Sequence, residues 1–140
     1  IELIAASADG VWVVDQFAGD VLRIDPVSLQ VVADPIRFTG SIDAIAVMGD
    51  HVWVLDFGTG LLSRISILAD RSLGQVSVPG RATSLAAGLG AIWVAHEDGT
   101  VTKVDPATLT ASPVARIEGS ARAITVDRAR KTIWVDMRSD

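Results

Sequence analysis

The sequence predicts an all-β chain assembled from repeated four-stranded antiparallel units. Three observations carry this. The four tryptophans share one local context, "VWVVD" around Trp12, "VWVLD" around Trp53, "IWVAH" around Trp93 and "IWVDM" around Trp134, at spacings of 41, 40 and 41 residues. Within each period, runs of four to eight residues rich in Val, Ile and Leu are bounded by Gly, Asp or Pro, the pattern of short strands and turns. No 3.6-residue periodicity persists over ten residues, so helices are not expected. Four short strands every 40–45 residues is the signature of a β-propeller blade. A β-sandwich with accidental similarity, or a β-solenoid, fits this period less well.

Each unit divides into strands a to d. Strand a is short and alanine-rich, over about 3–8, 42–48, 82–87 and 122–127; its small side chains suit the crowded region near a propeller axis. An aliphatic residue followed by alanine stands eight residues before each of the first three tryptophans: Ile4–Ala5, Ile45–Ala46 and Leu85–Ala86. In the last copy Ile124 is displaced by two residues, because "VDRARKT" lengthens the loop. Strand b carries the tryptophan, over about 10–15, 51–56, 91–96 and 132–136, and is apolar on both faces, as a sheet sandwiched between neighbours requires. Gly19, Gly60 and Gly99 follow at the b–c break. Strand c, over about 20–25, 61–66 and 100–105, ends in Asp-Pro or its equivalent. Strand d spans about 29–37, 71–78 and 111–117, and Gly40, Gly80 and Gly119 close the units. The chain reads as one propeller segment, residues 1–140, with units at about 1–40, 41–80, 81–120 and a partial unit at 121–140.

"GVWVVDQFAGDVLRIDP", "HVWVLDFGTGLLSRIS" and "AIWVAHEDGTVTKVDPAT" resemble blades of bacterial propellers of the YVTN, NHL and virginiamycin B lyase-like group. The typical unit of that group reads roughly G-x-(V/I)-W-V-(A/T), six variable residues, then (V/I)-x-R-(I/V)-D-P. The resemblance covers nearly the whole chain. It implies the propeller fold and leaves function open, since propellers of this group serve as enzymes, sensor modules and scaffolds. The count is three complete units plus a terminal a–b pair, about three and a half blades, whereas a closed ring needs at least about four. A partial ring leaves apolar blade faces and sheet edges open. The expectation is a segment of a longer protein, consistent with Ile1 as first residue and with "DMRSD" ending midway through a unit. Assembly with another copy or another chain, or an atypical closure, are the alternatives.

Composition narrows the function classes. Nearly half the residues are hydrophobic and 21% are charged, which argues against disorder. The formal net charge is −5, so a basic nucleic-acid surface is not expected. No apolar run is long enough to insert in a bilayer. The absence of cysteine excludes disulfides and cysteine-ligated zinc.

Topology places the b–c and d–a loops at one end of the sheets and the a–b and c–d loops at the other. Three residues after each tryptophan stand Asp15, Asp56, His96 and Met137. The first three open the b–c loops and are candidates for a ligand-facing ring, with Gln16, Asp20, Phe57, Glu97 and Asp98 nearby. The competing reading of Asp15 and Asp56 is turn capping, and that of His96 is a surface loop residue. Arg81 and Arg122 follow the unit-closing glycines near the presumed channel mouth. They are suited to a carboxylate or phosphate, or to pairing with Asp15, Asp56 or Glu97. The pairs Arg23/Asp25 and Lys103/Asp105 read as structural: a charge contact followed by an Asp-Pro turn. The tryptophans read as inter-blade core rather than a sugar platform.

Catalysis has little support. His51 precedes strand b and His96 ends it, so the two histidines fall on opposite faces and do not converge on a metal or a proton. The lyase of the resembling group is understood to use histidine and glutamate near a central metal. No match to that motif is found, so no catalytic residue, metal ligand or cofactor is carried over. The expected function is a non-catalytic propeller module that binds a protein or small-molecule ligand, as a sensor or scaffold segment of a larger bacterial extracytoplasmic protein. The alternatives are a metal-dependent lyase- or hydrolase-type propeller enzyme, and a structural segment that assembles with other chains to complete a propeller.

Overall fold

Alternating apolar side chains and glycine-bounded turns produce antiparallel meanders throughout the computed structural model, which describes residues 3–69 and 71–138. Ile1, Glu2, Asp70, Ser139 and Asp140 lie outside the described residues. The first sheet runs in the order β1 (Leu3–Ser7), β2 (Gly10–Asp15), β3 (Asp20–Ile24), β4 (Ile36–Arg37). The second comprises β5 (Ala44–Met48), β6 (His51–Asp56), β7 (Leu61–Ser66) and β8 (Arg71–Ser77). The third comprises β9 (Ala82–Gly88), β10 (Ala91–His96), β11 (Thr100–Asp105) and β12 (Thr110–Arg116). The fourth holds only β13 (Ser120–Asp127) and β14 (Thr132–Arg138). These are the expected a–d strands, and the fold is a partial β-propeller.

One strand is much shorter than the sequence suggests. The run 29–37 forms only β4 and one isolated bridge, Ile24 to Val31. The segment lies on the exposed outer edge, with Val31 and Val32 55 and 49% exposed, so little burial holds it against β3. Leu29 stands at φ 59 just before it, as Leu109 stands at φ 54 before the full-length β12, so the left-handed residue marks the c–d turn rather than the shortening.

The innermost strands stand side by side in the order β1, β5, β9, β13, so the blades splay outward from a common axis. Each of the first three tryptophans points at the following blade. Trp12, Val14 and Val21 pack on Val52, Val54 and Ile65 of blade two. Trp53, Leu55 and Leu62 pack on Ile92, Val94 and Val104 of blade three. Trp93 packs in the third cluster with Ile124, Ile133 and Val135 of blade four. Every sheet therefore has a tryptophan face and an aliphatic face, set by the period of two along strand b.

A basic residue on strand c stands cross-strand from each of the first three tryptophans. Arg23 lies 5.9 Å from the Trp12 ring centroid and Lys103 lies 5.7 Å from that of Trp93. Arg23 donates to the Ile67 carbonyl on blade two at 3.2 Å. Arg64, paired with Trp53, donates to the Pro106 carbonyl on blade three at 2.7 Å. The "RID" and "SRIS" segments thus latch neighbouring blades together. Asp25 and Asp105 cap the next turn, accepting from Val27 and Ser28, and from Ala107 and Thr108. The backbone hydrogen bonds hold Asp25 and Asp105 below the ordinary carboxylate pKa, and the charges of Arg23 and Lys103 add a smaller lowering, so the expected charge contact accompanies the turn.

Candidate functional site

Side chains at the end of strand b alternate between two destinations, and this decides the site. In units two to four the residue three positions after the tryptophan turns into the junction beneath the preceding d–a loop. A Cβ built on Gly40 would lie 3.0 Å from the Asp56 carboxylate, one on Gly80 3.2 Å from His96 Nδ1, and one on Gly119 3.5 Å from the Met137 methyl. The unit-closing glycines make room for this column. At Gly80 the backbone is also at φ 102, so any side chain there meets both strain and the imidazole.

Asp15, Asp56 and His96 each make local contacts in the structure. Asp15 Oδ1 accepts from the Phe17 and Ala18 amides at 3.0 and 3.1 Å. Asp56 Oδ1 accepts from Gly58 and Thr59 at 2.8 and 3.0 Å. Burial disfavours the Asp56 anion, but the hydrogen bonds from Thr59, Gly58 and Ser41 outweigh it and hold the carboxyl below its ordinary pKa. His96 is not a surface loop residue: it is 1% exposed, and its Nε2 lies 2.8 Å from the Thr102 hydroxyl. Burial pushes the imidazole below its ordinary pKa, with Asp98 partly opposing the shift. A neutral ring fits, because no hydrogen-bond partner meets Nδ1 among the described residues.

The residue four positions after the tryptophan points the other way. Phe57, Glu97 and Arg138 occupy this column in units two to four, and all line an open cleft of about 640 Å³. A second column joins them. Asp43, Thr83 and Arg122 each stand two residues before the strand-a aliphatic residue, and they line the same cleft. Arg81 completes it from the d–a loop and pairs with Glu97 at 2.9 Å. The cleft lies at the b–c and d–a end, as topology requires.

Three of the six sequence candidates, Arg81, Glu97 and Arg122, therefore converge here, whereas Asp15, Asp56 and His96 do not. Sequence reasoning missed Asp43, Thr83 and Arg138. Their signal is a register one residue away from the column it chose: both cleft columns vary in chemistry between copies, while the strand around them repeats.

The cleft's charges are unequally engaged. Asp43 accepts from the Phe57 amide at 2.9 Å and from the Ser41 hydroxyl at 3.1 Å. Glu97 is neutralised by Arg81. Arg122 and Arg138 have no ion-pair partner among the described residues. The arrangement thus offers two guanidinium groups, a half-buried phenyl ring and short polar side chains to a ligand carrying negative charge. His51 begins β6 and His96 ends β10, so the two histidines stand at opposite ends of strand b. Among the described residues no group of three His, Cys, Asp or Glu side chains is placed to hold a metal.

Blade topology and inter-blade packing define the chain as a β-propeller repeat protein. No protein-family model matches the sequence, and neither does any curated protein sequence. Solved structures do match the fold. Kuenenia stuttgartiensis hydrazine synthase superposes with a TM-score of 0.85 at 14% identity, over 98% of this chain and 42% of that one. Streptogramin B lyase superposes with a TM-score of 0.78 at 16% identity, over 96% of this chain and 47% of that one. BBS1N, solved in complex with ARL6DN, gives a TM-score of 0.74 at 17% identity, over 96% of this chain and 46% of that one. The chain spans less than half the length of each of these proteins.

Proposed function

We propose that residues 1–140 are a single propeller segment acting as a non-catalytic recognition module, which binds a protein or small-molecule ligand through an anionic group. The observation that carries this is the convergence of Arg122, Arg138 and the Arg81–Glu97 pair on one cleft at the b–c and d–a face. The structure of BBS1N in complex with ARL6DN gives a precedent for a protein of this fold in a protein complex. Membership of the YVTN, NHL and virginiamycin B lyase-like group, and a sensor or scaffold role in a bacterial extracytoplasmic protein, rest on the blade motif alone. No helix among the described residues is long and apolar enough to cross a membrane.

An amide-resolved NMR titration tests the reading with three peptides: one acidic, its neutral amide counterpart and one basic. The acidic peptide is expected to shift Gly58, Glu97 and Arg122, and Arg122→Glu is expected to abolish the response. A response confined to the c–d loops, or equal shifts with all three peptides, would overturn it.

A further inference from the structure

A small polar cavity lies between blades one and two, and it shares no lining residue with the cleft. Its volume is about 90 Å³, beneath the d–a loop at Gly40. Ile42 and Val54 give it apolar walls, and Asp56, Ser63 and Gln75 give it polar groups. Asp56 Oδ1 is taken by the Gly58 and Thr59 amides, while Oδ2 lies beneath Gly40. Ser63 is 4% exposed, and its hydroxyl oxygen accepts from Gln75 Nε2 at 2.9 Å. No Lys, Arg or His side chain lines the cavity, and among the described residues no ion pair reaches Asp56.

The repeat shows what kind of group fits this space. Ser63 stands cross-strand from Val54, and Thr102 from Val94, so the two hydroxyls hold the same place in units two and three. In unit three the His96 imidazole spans from Gly80 to Thr102 and is buried, with Nε2 2.8 Å from the hydroxyl. In unit two the same column carries the shorter Asp56. Gln75 reaches Ser63 from strand d instead, where the strand-d residue facing Thr102 is Pro113, which has no polar side chain. The remainder of the ring's space is the cavity. Exchange of an imidazole for a carboxylate gives that space a negative charge.

We propose that this cavity is a binding site for a small nitrogen cation bearing N–H groups: an ammonium head group, on a free amine or on a lysine side chain. The nitrogen base that unit three carries on its own strand b reaches unit two from outside. Its N–H groups donate to the Asp56 carboxylate and to the second acceptor position of the Ser63 hydroxyl. Ile42 and Val54 border a methyl-sized stub. A quaternary ammonium has no N–H for either oxygen and is larger, so it is refused.

The test is an amide-resolved NMR titration of the 140-residue chain with methylammonium chloride, run beside tetramethylammonium chloride and sodium chloride at matched ionic strength. Methylammonium is expected to give saturable shifts at the Gly40, Ser41 and Thr59 amides and at the Gln75 side-chain amide, and the other two salts none. Asp56→Asn keeps the shape and is expected to weaken binding by about tenfold or more, the loss of one charge-assisted bond. Asp56→His gives unit two the imidazole of unit three and is expected to abolish binding. Unchanged amide positions in blades three and four check that both variants fold. Nα-acetyl-lysine methylamide separates the sources: shifts at the same amides support a lysine side chain, and shifts with methylammonium alone support a free amine. No saturable response to methylammonium, an equal response to tetramethylammonium or sodium, or undiminished binding by either folded variant would overturn the proposal.

Discussion

His96 shows how one residue records its surroundings. Its imidazole fills the space beneath Gly80 that an aspartate occupies beneath Gly40, and it is held neutral by burial. Because the folded pKa lies below the unfolded value of 6.5, the unfolded chain binds a proton first as pH falls. Its contribution is therefore fully present above about pH 6.5 and is lost as pH drops through the lowered folded value. Urea unfolding at a series of pH values is expected to show this loss, and His96→Gln is expected to flatten the profile in that window. The turn-capping carboxylates act in a separate, more acidic window. Asp25, Asp56, Asp98, Asp105 and Asp127 all have pKa values lowered from 3.8, so their stabilisation is lost as pH falls from that value through the folded ones. Tryptophan gives a second contrast within one repeat column. Trp53→Ala is expected to cost roughly 3–5 kcal/mol, the range for a large core deletion. Trp134→Ala, at a position 58% exposed, is expected to change stability far less, by about 0.5 kcal/mol. Chemical denaturation of the two variants measures the difference.

At the scale of the element, the b–c turn explains why a glycine follows every complete strand b. Gly99 sits at φ 79, and a Cβ there would collide with the Ile117 carbonyl oxygen. The Gly99 carbonyl itself accepts from the Ile117 amide at 2.9 Å, tying strand d to the turn. Gly99→Ala is expected to destabilise the fold by more than about 1 kcal/mol, read as a lowered denaturant midpoint. Leu29 presents the opposite case, a bulky residue at φ 59 with its side chain mostly in solvent. Leu29→Gly is expected to stabilise by up to about 1 kcal/mol through relief of left-handed strain. The repeat made most elements legible in advance: strands a, b and c fall within two or three residues of their expected bounds. The outermost strand of unit one did not, because apolar residues such as Val31 and Val32 look strand-like in sequence yet are about half exposed and meet β3 only through an isolated bridge and one hydrogen bond. The site was half legible for a related reason. Periodicity identifies which end of strand b faces the loops, but a shift of one residue reverses which side chain reaches the cleft, and Asp15 and Glu97 carry no local mark of that choice.

For the molecule as a whole, stability is distributed along a line of similar junctions rather than in one central core. Each blade touches its neighbours, and the weakest places are the ends. Native-state hydrogen exchange is expected to rank β6 and β10 as most protected and β4 and β14 as least. Uniform protection across the four sheets would contradict that order. The Arg23 and Arg64 latches add a further consequence. Each reaches the same backbone carbonyl position in the next unit, a group that every residue type possesses, so the latch makes no demand on the side chains of the unit receiving it. A gene encoding such a chain can gain or lose a forty-residue stretch by unequal recombination and still yield junctions that fit. Lengthening of the arc then requires no coordinated change at distant codons, and new chemistry can arise in one copy's cleft residues while the others preserve the framework.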